Sequence, residues 1–260
     1  MRTASISVVI PAFNEERRIR ETIREVADYF SSQDEYVLRE IIVVDDGSSD
    51  GTYRLTEELK VTVGRLVPVR HVTNQGKGEA VRSGVLRCSG DFILFTDVDL
   101  STPLRETGRL FEKIKDGFDI AIASRGLSES RLVIKQPAYR EMSGRLFNLF
   151  VQLLFLPGIW DTQCGFKLFT AEAGRKVFAV TKIKGFAFDV EFLYLARKLG
   201  YRIAEVPVEW SDDPDSRVRM TRDPLAMVRD LLGCFLRASL NGKTVGLQAK
   251  KDVPVPEPHQ

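Results

Sequence analysis

The sequence predicts an α/β fold: one doubly wound domain with a mostly parallel sheet, helices on both faces, and amphipathic helices toward its carboxyl end. Three observations predict it. Short, β-branched runs alternate with helical patterns through the first half of the chain, which is the rhythm of successive βαβ units. The runs are almost wholly apolar, as strands covered on both faces are. Each ends in a polar cluster, at 11–15, 45–51, 73–77 and 96–101. Ligands of open α/β sheets gather at such carboxyl ends, so the four clusters are expected to share one cleft.

In order, the pattern predicts a strand at 6–10 and a helix at 15–30, a strand at 40–44 and a helix at 52–60. A strand at 66–71 with a helix at 78–86, and a strand at 91–95 with a helix at 102–115, complete the series. The second half is less regular. Residues 118–123 read as a further buried strand, 136–144 carry no strand pattern, and 145–156 show a helical apolar stripe. A helix is expected at 189–199, a strand at 202–210, a turn at 211–216 and an amphipathic stretch at 223–240.

Composition narrows the classes. The 260 residues are 43% hydrophobic and 28% charged, which suits a packed core. Lys plus Arg (38) nearly balance Asp plus Glu (36), so the net charge of +2 gives no electrostatic case for nucleic acid. Cys88, Cys164 and Cys234 stand in no C-x-x-C spacing, and two histidines make no zinc pattern, so a reducing compartment is expected. Residues 1–5 run into the first strand without the apolar core of a signal peptide. The most apolar segment, 146–160, contains Asn148 and Gln152 and meets Pro157, short of the roughly 20 residues a spanning helix needs. The expectation is a cytoplasmic protein, with any membrane contact peripheral.

Several clusters could carry chemistry. Asp45-Asp46-Gly47-Ser48 reads either as a turn leading to an N-cap or as carboxylates accepting hydrogen bonds from a base and a ribose. Asp97-Val98-Asp99 puts two carboxylates on one side of an extended segment, where a hard divalent cation relieves their repulsion. Asn74-Gln75-Gly76-Lys77-Gly78 lacks the spacing of a P-loop or a dinucleotide fingerprint. On these residues alone it is equally an ordinary loop or a helix start that meets phosphate.

Together these motifs resemble one family. Pro11-Ala12-Phe13-Asn14-Glu15-Glu16, Val43-Val44-Asp45-Asp46-Gly47-Ser48, Asn74-Gln75-Gly76-Lys77-Gly78 and Asp97-Val98-Asp99, in that order, are similar to the family 2 glycosyltransferases of the GT-A fold. Asp161-Thr162-Gln163-Cys164-Gly165-Phe166-Lys167, Phe188-Asp189-Val190-Glu191 and Val206-Pro207-Val208-Glu209-Trp210 resemble its dolichyl-phosphate β-glucosyltransferase branch, a neighbour of the dolichyl-phosphate mannose synthases. The likeness runs from about residue 6 to about residue 240.

The resemblance implies an inverting transferase moving a hexose, glucose from UDP-glucose, to a polyprenyl phosphate. GDP-mannose and a soluble acceptor remain the alternatives. It implies that Pro11, Phe13, Glu15 and Asp46 surround the nucleoside, with Lys77 near the base or diphosphate. Asp97, Val98 and Asp99 would meet the nucleotide sugar, with Asp97 and Asp99 holding Mg²⁺ or Mn²⁺. Arg125, Arg140 and Ser143 would hold the acceptor phosphate, and Arg217 would stand in a loop closing over the diphosphate. Two departures bear on this. Ser101 stands where the mannose synthases place a metal-binding glutamine, and the amino-terminal transmembrane helix of the eukaryotic glucosyltransferases has no counterpart before residue 6.

An acceptor phosphate, with a second pKa of about 6, needs no general base; a hydroxyl acceptor would, and Asp161 is then the first candidate. A nucleotidyltransferase is the main rival reading, but its Gly-rich amino-terminal loop has no match in 11–16. A non-catalytic nucleotide-sugar binder would tolerate loss of the acids, and all are present. The organisation expected is a GT-A domain at 1–220, an amphipathic helix at 221–242 suited to a membrane interface, and a disordered tail at 243–260. Residues 145–156 are apolar on more than one stripe, and 223–240 place leucines beneath Arg222, Arg229 and Arg237, which fits either an interfacial helix or burial in the protein's own core.

Overall fold

The computed structural model describes residues 3–134, 136–213 and 227–234. Strand and helix alternate from β1 (Ala4–Ala12) and α1 (Ile19–Ser31) through β2 (Tyr36–Asp45), α2 (Thr52–Lys60), β3 (Leu66–Arg70), α3 (Lys77–Val85), β4 (Phe92–Thr96) and α4 (Glu106–Lys115) to β5 (Ile120–Ser124). Then follow β6 (Arg131–Ile134), α5 (Ala138–Leu154), β7 (Phe166–Thr170), α6 (Ala171–Phe178), α7 (Phe188–Lys198), β8 (Ile203–Pro207) and β9 (Glu209–Ser211). Residues 227–234 are helical.

The main sheet has seven strands in the order β3-β2-β1-β4-β7-β5-β8, and β6 pairs with β9 in a small second sheet. Pairings β1·β2, β1·β4, β2·β3 and β5·β8 are parallel. Strand β7 runs antiparallel between β4 and β5, with Lys167 opposite both Phe95 and Ile122. The order reverses between β1 and β4, where open sheets place their crevice.

Two cores, one on each face, show the double winding. Val8, Ile10, Ile41 and Val43 pack with Ile19, Ile23 and Phe30 of α1 and Leu110 and Phe111 of α4. Val9, Ile42 and Val44 point the other way, onto Ala80 and Val81 of α3, Val177 of α6 and Phe192 of α7. Successive strand residues face opposite sides, so a strand apolar throughout serves both cores.

Boundaries and two elements differ from expectation for identifiable reasons. The first helix begins at Ile19 rather than residue 15, because Asn14 takes a left-handed turn (φ 52°) and residues 14–16 bond to the 48–52 loop. The fourth begins at Glu106, after a turn that includes Leu100 at φ 47°. The 202–210 run is two strands, β8 in the main sheet and β9 in the small one. Strands β6 and β7 and helix α6 were not expected. The helix at 145–156 starts earlier, at Ala138. In the described part of the expected carboxyl-terminal helix, Met227, Leu231 and Cys234 are buried in the protein's own core, while Leu232 is exposed. Residues 243–260 lie outside the described residues.

Candidate functional site

The ends of β1 and β2 are tied together by local bonds. Ser48 Oγ accepts from the Asn14 amide at 2.8 Å, Asn14 Oδ1 accepts from the Ser49 amide at 2.9 Å, and Thr52 Oγ1 accepts from the Glu15 amide at 2.7 Å. Pro11, Phe13 and Glu15 stand half-buried in this rim. Asp46 is buried, and the protein occupies both its oxygens. Oδ1 lies 2.6 Å from His71 Nδ1 and accepts the Gln75 amide at 2.9 Å, while Oδ2 accepts the Gly76 amide at 2.8 Å. Asp46 thereby fixes the loop that starts α3. Gly76 closes that loop at φ 103°, against Lys184, a conformation that favours glycine.

Lys77, the first residue of α3, reaches across to Asp97 at the end of β4, with Nζ 2.7 Å from Oδ1 and 2.9 Å from Oδ2. Burial disfavours the ammonium, but Asp97 and Asp189 outweigh it and hold the Lys77 pKa above its ordinary value. Asp97 lies against Gly165, whose amide oxygen accepts the Asp97 N–H at 3.1 Å. A Cβ at residue 165 would stand 2.5 Å from Asp97 Cγ and overlap the carboxylate, so only glycine admits Asp97 in this position. Val98 turns its side chain into the core, and its carbonyl accepts the Thr22 hydroxyl at 2.7 Å.

Asp99 is the outer member of the pair, and its Oδ1 accepts the Ser101 amide at 3.0 Å. Its side chain reaches solvent, yet the cleft walls thin its hydration; that loss first, and the charge of Asp97 second, push its carboxyl up. Two carboxylates at one strand end, one already drawing a lysine, suit a hard divalent cation. Among the described residues no group of three His, Cys, Asp or Glu converges on a point. A cation here would therefore complete its sphere with water and phosphate oxygens, as Mg²⁺ does.

Arg125, just past β5, forms a bidentate pair with buried Asp161. Nε and Nη2 donate at 2.6 and 2.9 Å, and the Arg125 amide donates at 3.0 Å. The guanidinium also lies 5.2 Å from the Trp210 ring centre. Burial opposes ionisation of Asp161, but Arg125 overcomes it and holds the carboxyl below its ordinary value. Both oxygens of Asp161 are thus committed, which leaves no lone carboxylate of the kind a general base needs.

One cavity of about 690 Å³ joins these groups. Lys77, Asp97, Asp99, Arg125 and Ser143 line it, whereas Pro11, Phe13, Glu15, Asp46, Val98 and Asp161 do not. Arg140 lies in the first turn of α5, its side chain outside those described, and Arg217 falls outside the described residues. Sequence reasoning had assigned no role to Gln163, Asp189, Trp210 or Asp212, which also line the cavity. Asp189 is buried, its carboxyl pushed up by that burial, and it accepts from Lys167 Nζ at 2.6 Å. Three of these residues sat in motifs already noted, but a pairing between positions 167 and 189 has no local signature.

Leu146, Leu149 and Leu153 of α5 form the cavity's outer wall and are 70%, 52% and 74% exposed, with Met142 and Tyr139 continuing the stripe. These spacings of three and four residues set one helix face. The opposite side, at Phe147, Phe150 and Val151, packs on the core. Among the described residues, no helix is long and apolar enough to cross a membrane.

Comparison with known proteins gives a concordant picture. The family model described as glycosyl transferase family 2 matches residues 7–178. The dolichyl-phosphate beta-glucosyltransferase of Dictyostelium discoideum is 37% identical over 87% of this chain and 72% of its own length. The human protein of that name is 34% identical over 90% of this chain and 76% of its own. Among solved structures, mannosyl-3-phosphoglycerate synthase from Rubrobacter xylanophilus superposes with a TM-score of 0.67 at 18% identity, covering 96% of this chain and 79% of that one. Glucosyl-3-phosphoglycerate synthase from Mycobacterium tuberculosis, in complex with Mn²⁺ and UDP-glucose, gives 0.61 at 22% identity, covering 90% and 78%. At these identities the structural matches speak for the fold alone.

Proposed function

Because this chain belongs to glycosyl transferase family 2, and its similarity to dolichyl-phosphate beta-glucosyltransferases spans most of its length, we propose that it transfers glucose from UDP-glucose to a polyprenyl phosphate such as dolichyl phosphate. The observation that carries this reading is the shared cavity. Its polar end holds Asp97, Asp99 and Lys77, Arg125 faces it from the side, and its outer wall is the exposed leucine face of α5.

In this mechanism the nucleoside lies against Pro11, Phe13 and Glu15, and Asp46 acts from beneath by holding the 75–76 backbone. Lys77 leaves Asp97 for the diphosphate, where its charge and the partial positive charge of the α3 amino terminus offset the developing negative charge. Asp97 and Asp99 would hold Mg²⁺ or Mn²⁺, which supplies Lewis-acid stabilisation of the leaving diphosphate. Arg125, aimed by Asp161 and backed by Trp210, grips the acceptor phosphate in a planar fork, with Ser143 in the same cavity and Arg140 proposed to share the role. An acceptor phosphate oxygen attacks the anomeric carbon as the bond to the UDP oxygen breaks on the opposite side, and the configuration inverts. The attacking phosphate is already ionised near neutral pH, so no residue must take a proton.

The α5 face supports peripheral docking on a membrane, and the proposed side is the cytoplasmic one. Leu146, Leu149 and Leu153 would enter the interface while the acceptor's head group reaches Arg125 and its tail stays in the bilayer. The test offers UDP-[¹⁴C]glucose and GDP-[¹⁴C]mannose to the purified protein with polyprenyl phosphate in vesicles or with glycerol 3-phosphate in solution. Glucose should enter the organic phase, dependent on divalent metal and reversed by excess UDP. Label recovered only in water-soluble product would overturn the lipid acceptor, and transfer from GDP-mannose alone would overturn the donor.

A further inference from the structure

We propose that Gln163 reads the hydroxyls of the transferred hexose, an inference that rests on the hexosyl-transfer reading above. Gln163 lines the cavity, and its Nε2 group is buried with no hydrogen-bond acceptor among the described residues. Buried polar groups are nearly always paired, and one left unpaired costs stability, so an orphaned amide in a cavity wall calls for an explanation in what the cavity binds.

Position says which part of the substrate that is. Two residues before Gln163, Asp161 clamps Arg125; two residues after it, Gly165 lies under Asp97. A single short loop thus touches the end assigned to the acceptor phosphate and the end assigned to the donor diphosphate, with Gln163 midway. The group that moves between two phosphates is the hexose. The loop is fixed as well, since Asp161 Oδ1 accepts the Gln163 amide N–H at 3.1 Å.

The side-chain chemistry agrees. A lysine or arginine midway between two phosphate sites would bind phosphate, and another acid would add to the charge of Asp97, Asp99 and Asp189. A neutral carboxamide does neither, and it offers a donor and an acceptor to neighbouring hydroxyls of a pyranose. Rotation between staggered rotamers lets the amide exchange its sheltered place for a hydroxyl in the cavity.

The test compares UDP with UDP-glucose. Calorimetric Kd values for both, in Mn²⁺, are measured for the wild type, Gln163→Met and Gln163→Asn, together with melting temperatures and relative transfer from UDP-glucose and UDP-galactose. Methionine keeps the length and removes the hydrogen bonds. We expect Gln163→Met to leave UDP affinity unchanged, to weaken UDP-glucose by about tenfold or more, to narrow the preference between the two sugars, and to melt no lower than wild type. Gln163→Asn should fall between. UDP and UDP-glucose weakening together with a lower melting temperature would show a structural residue, and an unchanged UDP-glucose Kd would equally refute the assignment. A wild type that binds no nucleotide sugar would remove the function itself; a wild type that transfers glucose, beside an unaltered Gln163→Met, would remove this assignment only.

Discussion

Replacing Asp161 with asparagine separates two roles that the sequence left open for it. The substitution keeps the shape and removes the charge that Arg125 grips through Nε and Nη2. Breaking a buried ion pair by removing one partner costs roughly 3–5 kcal/mol. Arg125 keeps 24% of its side chain exposed and can draw water from the cavity, so a discounted figure of about 2–3 kcal/mol applies here. For a chain of this size that is a drop of about 4–12 °C in melting temperature. The pH dependence supplies a second signature. Because Arg125 holds the Asp161 carboxyl below its ordinary value, its stabilisation is present above the unfolded pKa of about 3.9 and is lost as pH falls through the folded value. The stability gap between wild type and variant should therefore narrow as pH falls below about 4. In transfer assays the KM for polyprenyl phosphate should rise more than kcat falls, since a misaimed Arg125 still leaves the donor end intact. Differential scanning calorimetry from pH 3 to 8 and steady-state kinetics read both. An unchanged melting temperature with kcat abolished would refute the anchoring role and restore Asp161 as a base.

The other predictions concern the two ends of the cavity and its wall. Gly165→Ala should push Asp97 aside and lower transfer by about a hundredfold, the usual cost of an ångström-scale misplacement, while the far-ultraviolet circular dichroism stays native; activity within twofold of wild type would contradict the overlap. Asp99→Asn should abolish metal-dependent transfer with little change in melting temperature, because the side chain is exposed, and EDTA should have the same effect on wild type. Leu146, Leu149 and Leu153 changed together to glutamine should weaken vesicle flotation by about a hundredfold, from about 1 kcal/mol of apolar burial per leucine, and leave UDP affinity intact; flotation equal to wild type would place docking elsewhere.

How much of this was legible in the sequence follows from what each residue needs as a partner. Strands β1, β2 and β4 could be read because a strand buried on both faces is a nearly continuous apolar run, the edge strand β3 because its short apolar run falls in step with the alternating helices, and the Thr52–Lys60 helix falls where its pattern put it. Strand β7 could not, since Lys167, its second residue, reads as a solvent residue. It is tolerated there only because Asp189, on a later helix, takes its charge at 2.6 Å. The 202–210 run could not be divided, since Pro207-Val208 interrupts pairing without interrupting the apolar pattern while the chain changes sheets. At the site, the paired carboxylates of Asp97 and Asp99 could be read from residue type, Lys77 and Arg125 only through the family resemblance, and the fold brings all four to one cavity. That Asp46 and Asp161 have their oxygens occupied by neighbours is a three-dimensional fact with no trace in spacing.

On the proposed function, the reversed strand gives a reason why one cavity could serve two substrates. In a sheet built only of parallel βαβ units, each carboxyl end contributes its own loop, and the relative placement of two such loops depends on two separate crossovers. Here β7 enters between β4 and β5 from the opposite direction, so its leading loop, rather than its trailing one, arrives at the carboxyl ends of both neighbours. Asp161 fixes Arg125 at the end of β5, and Gly165 fixes Asp97 at the end of β4. The distance between the donor and acceptor ends is then set within five residues of one rigid segment rather than across the domain. A hexose that must pass between two phosphates in line benefits from that arrangement, because the reacting groups are held in place before they meet. A residue inserted into or deleted from 161–165 should accordingly disturb donor and acceptor parameters together, whereas substitutions in α5 should change the acceptor alone.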